Sequence, residues 1–184
     1  MAPGKIPNLE TARLRLRPFF SGDAPNVQLL AGEMDIARNT LAMPFPYSDG
    51  MAEAWIGNHS NDFDEGKSSI WAITLKESDQ LIGAIGLSLQ LQFSNAEIGY
   101  WIGKEYWNNG YCTEALKEVI NFGFDYFKLH KMYASYFGNN PASGQVMRKA
   151  GMIYEGTLKS HMFHWNEFKD LVQYGVWREE MSNF

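Results

Sequence analysis

Residues 96–116 of the chain read AEIGYWIGKEYWNNGYCTEAL, and this segment joins a strand-like run to the start of a helix. Apolar residues dominate up to Ile102 and occupy every second position, which is typical of a β-strand. A polar turn follows at Asn108-Asn109-Gly110, and apolar residues recur at helical spacing from Ala115 onward. The segment therefore predicts a strand, a tight turn and the N-terminus of a long helix.

The rest of the chain alternates between strand-like and helical patterns. The predicted elements are a strand at 13–18, helices after 23, near 35–40 and at 49–63, strands at 70–75, 81–91 and 96–102, a long helix from 110, a strand at 131–137, a helix at 141–150 and two strands joined near Asn166. This order predicts a mixed α/β fold with a central, mostly antiparallel twisted sheet of about seven strands flanked by helices. Because the length suits one core, residues 1–184 are expected to form a single domain.

Composition and charge exclude several classes of function. A formal net charge of −5 disfavours direct nucleic-acid binding, because phosphate contacts need clustered Lys and Arg. The one basic concentration, Arg13, Arg15 and Arg17, has a period of two and predicts an edge strand with a solvated charged face. Cys112 is the only cysteine, which suits a reducing, cytoplasmic environment. No apolar run is long enough to span a membrane.

Three segments together resemble one enzyme family. They are residues 96–116, the N-terminal LETARLRLRP at 9–18, and a second helix start with Asn140-Pro-Ala-Ser143 followed by Arg148-Lys-Ala-Gly-Met152. In this order they resemble the GNAT superfamily, and within it the RimJ/RimL branch of ribosomal-protein N-terminal acetyltransferases and their small-molecule relatives. The resemblance covers nearly the whole chain. It implies the GNAT fold and the transfer of an acetyl group from acetyl-coenzyme A to a primary amine, either a protein N-terminus or a small molecule.

The turn before the long helix is a candidate diphosphate site. A helix N-terminus presents free backbone N–H groups and the positive end of its dipole, so it attracts anions. By resemblance, this loop binds coenzyme A through main-chain groups of Asn108, Asn109, Gly110, Tyr111, Cys112 and Thr113. Two positions depart from the family pattern, since Trp107 replaces the first residue and Cys112 the last. An ordinary strand-to-helix turn with glycine for its geometry is the alternative for the same residues.

The preceding strand carries the proposed base and backbone donors. By resemblance, Glu97 is the general base, often acting through water, although the residue alone would fit a solvated carboxylate at a strand end. The N–H groups of Gly99, Tyr100, Trp101 and Ile102 are expected to face the thioester and the pantetheine arm, with the Tyr100 amide as oxyanion donor. Gly99 marks either a bulge or a close backbone approach.

The short second helix offers two further candidates. By resemblance, Asn140 contacts the pantetheine arm and Ser143 passes a proton to the sulfur. Both residues also fit a plain helix start, with Asn140 as N-cap and Pro141 in the first turn. Many GNAT enzymes have a tyrosine acid four residues before the helix-ending glycine, where this chain has Met147. The acid is then Ser143, a water molecule, or absent.

Several alternatives remain open on the sequence alone. A Cys112 acyl-enzyme lacks a histidine placed to serve it, and the four histidines form no metal set, so no metal is expected. The residues that could wall an acceptor groove are Met34, Met43, Met51, Phe45, Tyr47 and Trp55, and they fit core packing equally well. The rivals to an enzyme acting in a ternary complex are a coenzyme A sensor with the same fold and a ribosome-associated modifier. A monomer and a homodimer are both consistent with the sequence.

Overall fold

The computed structural model describes residues 5–178, which form one eight-stranded sheet with helices on both faces. The strands are β1 (Leu9–Glu10), β2 (Leu14–Arg17), β3 (Ser68–Leu75), β4 (Leu81–Gln90), β5 (Asn95–Ile102), β6 (Lys131–Phe137), β7 (Ile153–His164) and β8 (Glu167–Trp177). The helices are α1 (Ala24–Ala31), α2 (Met34–Ala37), α3 (Met51–Asp64), α4 (Tyr111–Asp125) and α5 (Pro141–Lys149). The predicted mixed α/β class is confirmed, and so are the β3–β5 meander and the final β7–β8 hairpin.

The N-terminal strands differ from the prediction. The two-residue strand β1 brings the sheet to eight strands and pairs with β2 through Leu9↔Leu16 and Glu10↔Arg15. Since β2 also pairs with β3, it lies inside the sheet order, and the predicted edge strand is wrong. A two-residue strand is too short to leave a periodic pattern, so the sequence gives no sign of it.

The three basic residues of this region are paired and do not form a free charged face. Arg13 forms an ion pair with Glu114, Arg15 with Asp79, and Arg17 with Asp23. The Arg17 pair is the least exposed, with only 4% of the Asp23 side chain accessible. The prediction of a solvated cationic face is therefore wrong for Arg17.

Two apolar cores lie on opposite faces of the sheet. Helix α4 has an apolar stripe that packs on one face, with Leu116, Val119 and Ile120 fully buried. Helix α5 joins this core through Met147. Helices α1, α2 and α3 cover the other face and pack against Trp101 of β5. The side chains of β5 alternate between these two cores, as the period of two requires.

Strands β5 and β6 are the one parallel pair in the described sheet, and they separate after three residue pairs. The pairs are Asn95↔Lys131, Ala96↔Met132 and Glu97↔Tyr133. Beyond Glu97, β5 stays paired with β4 as far as Ile102, while β6 continues against β8. The two strands therefore leave an opening in the middle of the sheet.

Candidate active site

A cavity of about 580 Å³ lies at the point where β5 and β6 separate. Strands β4, β5 and β6 form its floor, and the segment 39–47 with helix α3 forms its roof. It brings together part of the predicted site, namely Glu97, Gly99, Tyr100, Trp101 and Ser143. The other predicted residues, Ile102, Asn140 and those of the loop 108–113, lie outside its lining.

Glu97 lies on the floor, on the face that α1, α2 and α3 cover. Its cross-strand neighbours are Ser88 on β4 and Tyr133 on β6. The side chain is half-buried, and burial raises the pKa of its carboxyl group above the ordinary value. A higher pKa makes the carboxylate a stronger base, which suits proton transfer near neutral pH.

Gly99 keeps the floor open. A Cβ atom built on Gly99 would meet no atom within 4 Å. The ladder between β4 and β5 runs without a register shift from Gly83↔Ile102 to Gln90↔Asn95, so the bulge considered for Gly99 is not present. The missing side chain leaves room for a ligand above the strand.

The ladder also decides which backbone groups of β5 are free. The N–H of Gly103 donates to the carbonyl of Ile82 over 2.9 Å. Because hydrogen-bonded pairs alternate in an antiparallel ladder, the N–H groups of Trp101 and Gly99 also point to β4. The N–H groups of Tyr100 and Ile102 point the other way, into the opening. Of the four amides predicted to face the donor, those of Tyr100 and Ile102 can therefore bind a ligand. Those of Gly99 and Trp101 bond to β4.

Tyr100 connects the opening to helix α5. Its side chain points away from the Glu97 face, and its hydroxyl lies 2.8 Å from the hydroxyl of Ser143 and 3.1 Å from the Ser143 carbonyl oxygen. Burial raises the pKa of Tyr100 well above the usual tyrosine value, so the phenol stays protonated. A proton donor therefore lies beside Ser143 at the edge of the cavity.

Asn140 and Ser143 form the capped start of helix α5, as the helix-start alternative predicts. The Asn140 side chain is the N-cap and accepts a hydrogen bond from the Ser143 N–H over 3.4 Å, with Pro141 in the first turn. Met147 is buried in the core and does not line the cavity. Its position offers no group to the reaction, and the hydroxyl-bearing side chains that line the cavity on this side are those of Tyr100, Tyr136 and Ser143.

The loop before α4 is exposed and shaped by positive φ angles. Asn108 has φ +63° and the N-cap Gly110 has φ +77°, and no side-chain hydrogen bond caps the helix within the described residues. Asn109 donates from its side chain to the carbonyls of Tyr106 and Trp107. The Trp107 indole donates to the Ile102 carbonyl over 2.6 Å, which fixes the loop to the end of β5. The first-turn amides of α4 thus have no side-chain cap among the described residues.

Arg13 holds this loop from the other side. Its guanidinium pairs with Glu114 over 2.7 Å, donates to the Asn109 carbonyl over 3.0 Å and lies over the Tyr111 ring. Burial alone would raise the pKa of Glu114, but hydrogen bonds from Thr11 and Arg13 outweigh it and hold the pKa below the usual value. A cation is therefore fixed beside the helix N-terminus.

Comparison with known proteins identifies the family. Residues 13–153 match the model of the acetyltransferase (GNAT) domain. The chain belongs to the GNAT acetyltransferase family. The resemblance seen in the sequence is confirmed, and the chain is an acetyltransferase.

The relatives of this GNAT enzyme include ribosomal-protein acetyltransferases. The uncharacterized N-acetyltransferase YoaA of Bacillus subtilis is 31% identical over 86% of this chain and 89% of its own length. The ribosomal-protein-serine acetyltransferase of Escherichia coli is 30% identical over 53% of this chain and 55% of its own length. A RimL acetyltransferase solved with coenzyme A has the same fold, with a TM-score of 0.84 at 16% identity, over 94% of this chain and 97% of that one.

Cys112 of this GNAT enzyme is unsuited to nucleophilic attack. Burial raises the pKa of its thiol well above the ordinary value, so the thiolate is scarce. Within residues 5–178, no group of three His, Cys, Asp or Glu side chains could hold a metal ion. No helix in that range is long and apolar enough to cross a membrane.

The GNAT cavity also includes some of the residues considered for an acceptor groove and others that the sequence did not indicate. Met43, Tyr47, Met51 and Trp55 line the cavity as considered for an acceptor groove, whereas Met34 and Phe45 do not. The missed residues are Ser88, Ser135 and Tyr136. Only the pairing of strands brings these three to the opening, and no local motif marks them.

Proposed function

We propose that this GNAT enzyme transfers an acetyl group directly from acetyl-coenzyme A to a primary amine, of a small molecule or a protein N-terminus, within a ternary complex. The observation that carries the proposal is the opening between β5 and β6. It has Glu97 on one face of the sheet and the Tyr100–Ser143 hydroxyl pair on the other. Donor and acceptor can therefore approach from opposite sides and meet at β5.

The donor side of the chain suits acetyl-coenzyme A. The backbone amides of the exposed loop 108–110 and of the first turn of α4 would hold the diphosphate, since helix N-termini favour anions. The free N–H groups of Tyr100 and Ile102 would pair with the amides of the pantetheine arm or the acyl oxygen, and Asn140 lies at the start of the neighbouring helix. When bound, the donor supplies an activated acyl group with a thiolate as leaving group.

The proposed proton transfers use one group on each face of the sheet. Glu97 takes a proton from the incoming ammonium group through water, and its raised pKa favours that step. The neutral nitrogen attacks the acyl carbon, and the charge that develops on the acyl oxygen is stabilised by the Tyr100 N–H. The carbon–sulfur bond then breaks, the nitrogen loses its second proton to water, and the sulfur leaves as a thiolate. The Ser143 hydroxyl can pass a proton to this thiolate while it takes up one from water. The scheme uses no metal ion.

The domain organisation, location and oligomeric state of the chain are part of the same proposal. We infer that residues 1–184 act as one domain, because the family match spans 13–153 and the sheet continues beyond it through β7 and β8. The single cysteine suits the reducing cytoplasm, where we expect the enzyme to act as a monomer or homodimer.

The test combines donor binding with turnover. Acetyl-coenzyme A is titrated by calorimetry, and thiol release is followed with a panel of primary amines. Glu97→Gln is expected to keep the dissociation constant for acetyl-coenzyme A and to lower kcat by about 10²-fold, as for loss of a general base. Glu118→Gln is a matched control, since Glu118 is also half-buried with a pKa raised by burial but lies outside the cavity.

Two results would contradict the proposal. A chain that does not bind acetyl-coenzyme A lacks the donor site. A chain that binds it yet releases no thiol with any amine is a sensor and not an enzyme.

A further inference from the structure

We propose that the acceptor is a small primary monoamine whose remaining part is uncharged and apolar. The inference rests on the proposed function, because it concerns the substrate of the same cavity. It is drawn from the charge and chemistry of the residues around Glu97.

Among the described residues that line the cavity, Glu97 is the only one with a formal charge. One carboxylate matches one ammonium group. A second ammonium in the same cavity would lose its hydration without gaining a counter-charge, and an anionic substituent would also be repelled by Glu97. Diamines, polyamines and acidic amines are therefore disfavoured.

The roof over Glu97 is mostly apolar, and its polar residues Asn39 and Thr40 donate from their side chains to the carbonyls of Asp35 and Ile36. Met43, Met51, Tyr47 and Trp55 face the floor of the cavity, and Ile70 and Trp101 add apolar surface to the floor itself. Tyr47 and Trp55 also pack against the core beneath α1 and α3, so the roof is anchored. An alkyl or arylalkyl group would bury its surface here, with thioether and indole groups that adapt to its shape.

The size of the cavity favours a small molecule. Its volume of about 580 Å³ is within the range of about 300–1,000 Å³ that is usual for small-molecule sites. The thioester end of the donor takes part of this space, because Tyr100 and Ser143 line the same cavity. A peptide acceptor would instead bring several backbone N–H and C=O groups against methionine and indole side chains. Buried backbone groups without partners are costly, so a protein N-terminus is the weaker candidate.

The first experiment compares amines that differ in one feature. Pentylamine and 1,5-diaminopentane share a chain length and differ by one ammonium group, and 2-phenylethylamine, spermidine and a serine-initiated peptide complete the panel. We expect kcat/KM to be at least about tenfold higher for pentylamine and 2-phenylethylamine than for the diamine and spermidine. Calorimetric titration of each amine into the enzyme without donor should give the same order.

The second experiment adds a carboxylate to the roof. Met51 is the first residue of α3, and its sulfur accepts a hydrogen bond from the Ser48 N–H. Met51→Glu preserves an acceptor for that N–H and places negative charge at a helix N-terminus, where it is tolerated. The variant should shift the ratio of kcat/KM toward 1,5-diaminopentane by about tenfold. Met34→Glu is the matched control, since Met34 is similarly exposed but lies outside the lining.

The outcomes separate this inference from the proposed function. A wild-type preference for the diamine, spermidine or the peptide overturns the inference and leaves acetyl transfer intact. If a folded Met51→Glu variant leaves the ratio of kcat/KM for 1,5-diaminopentane and pentylamine unchanged, the inference is also overturned. If that variant does not fold, the amine panel with the wild-type enzyme decides. Binding of acetyl-coenzyme A without thiol release from any amine defeats the proposed function, and this inference with it.

Discussion

The hydroxyl of Tyr100 on β5 lies 2.8 Å from the hydroxyl of Ser143 on α5, although the two residues are 43 positions apart. Tyr100 also lies 3.1 Å from the Ser143 carbonyl oxygen, and burial keeps its phenol protonated by raising its pKa. One proton of Tyr100 can serve either oxygen. When it is donated to the Ser143 hydroxyl, the serine proton is free to point into the cavity.

Tyr100→Phe is predicted to lower kcat about fivefold with little change in KM for acetyl-coenzyme A. The loss corresponds to one hydrogen bond of about 1 kcal/mol that orients Ser143 during proton transfer. Steady-state thiol release measures both constants.

A double-variant cycle distinguishes orientation from separate roles. If Tyr100 acts through Ser143, the double variant Tyr100→Phe with Ser143→Ala should be no slower than Ser143→Ala alone. Losses that multiply would mean that each hydroxyl contributes on its own.

Arg13→Met is predicted to weaken acetyl-coenzyme A binding by about three- to fivefold and to leave kcat at saturation unchanged. The side chain links Glu114 and the Asn109 carbonyl, and its cation lies beside the first-turn amides of α4. Half of its surface is exposed, which limits the effect and makes it decrease with added salt. Calorimetry at two salt concentrations measures it.

The neighbouring arginine on the same strand provides the control. Arg15 pairs with Asp79 and has no contact with the 108–113 loop among the described residues, so Arg15→Met should leave the dissociation constant unchanged. Equal effects of the two substitutions would point to overall charge and not to the loop.

Gly99→Val is predicted to leave the melting temperature nearly unchanged while lowering kcat/KM for amines by more than about tenfold. A Cβ at this position meets open space, and valine suits a strand, so folding is not opposed. The same side chain enters the cavity between Glu97 and Trp101, where it displaces ligand. Gly156→Val is the control, because Gly156 on β7 also faces open space but lies outside the lining. Full activity in Gly99→Val would place the acceptor elsewhere.

The elements of this fold could be predicted where local periodicity is strong. The stripe of Leu116, Val119 and Ile120 identified α4, and alternating apolar runs identified the meander. The site was harder to predict, because the divergence of β5 from β6 beyond Glu97 is a property of two strands and not of either sequence.

Contacts over long sequence separations explain what was missed. Arg13 and Glu114 are 101 positions apart, and neither local pattern indicates the other. The edge-strand prediction for β2 was wrong because β1, which pairs with it, has only two residues and is too short to show an alternating pattern. The family resemblance identified Glu97 and Ser143 as candidates, but their positions at one opening follow only from the folded sheet.

His59 is predicted to make the protein less stable as the pH falls from about 6.5 toward 4. Its ring is 4% exposed, packs against Trp55 and Phe19, and has no hydrogen-bond partner for either nitrogen within residues 5–178. Burial lowers its pKa to about 4, although Asp62 acts in the opposite direction. The unfolded chain therefore takes up the proton first, and unfolding becomes more favourable by up to about 3 kcal/mol across this window.

The contribution of His59 can be isolated by substitution. His59→Phe keeps an aromatic ring against Trp55 and cannot be protonated, so urea unfolding of this variant should lose less stability than the wild type between pH 6.5 and 4. Carboxyl groups titrate in the same pH range in both proteins. Subtracting one curve of unfolding free energy against pH from the other therefore cancels their contribution. His130→Gln, which changes an exposed histidine, should follow the wild type. Parallel curves for wild type and His59→Phe would mean that the buried ring accepts its proton at the ordinary pH and that the packing around it opens on acidification.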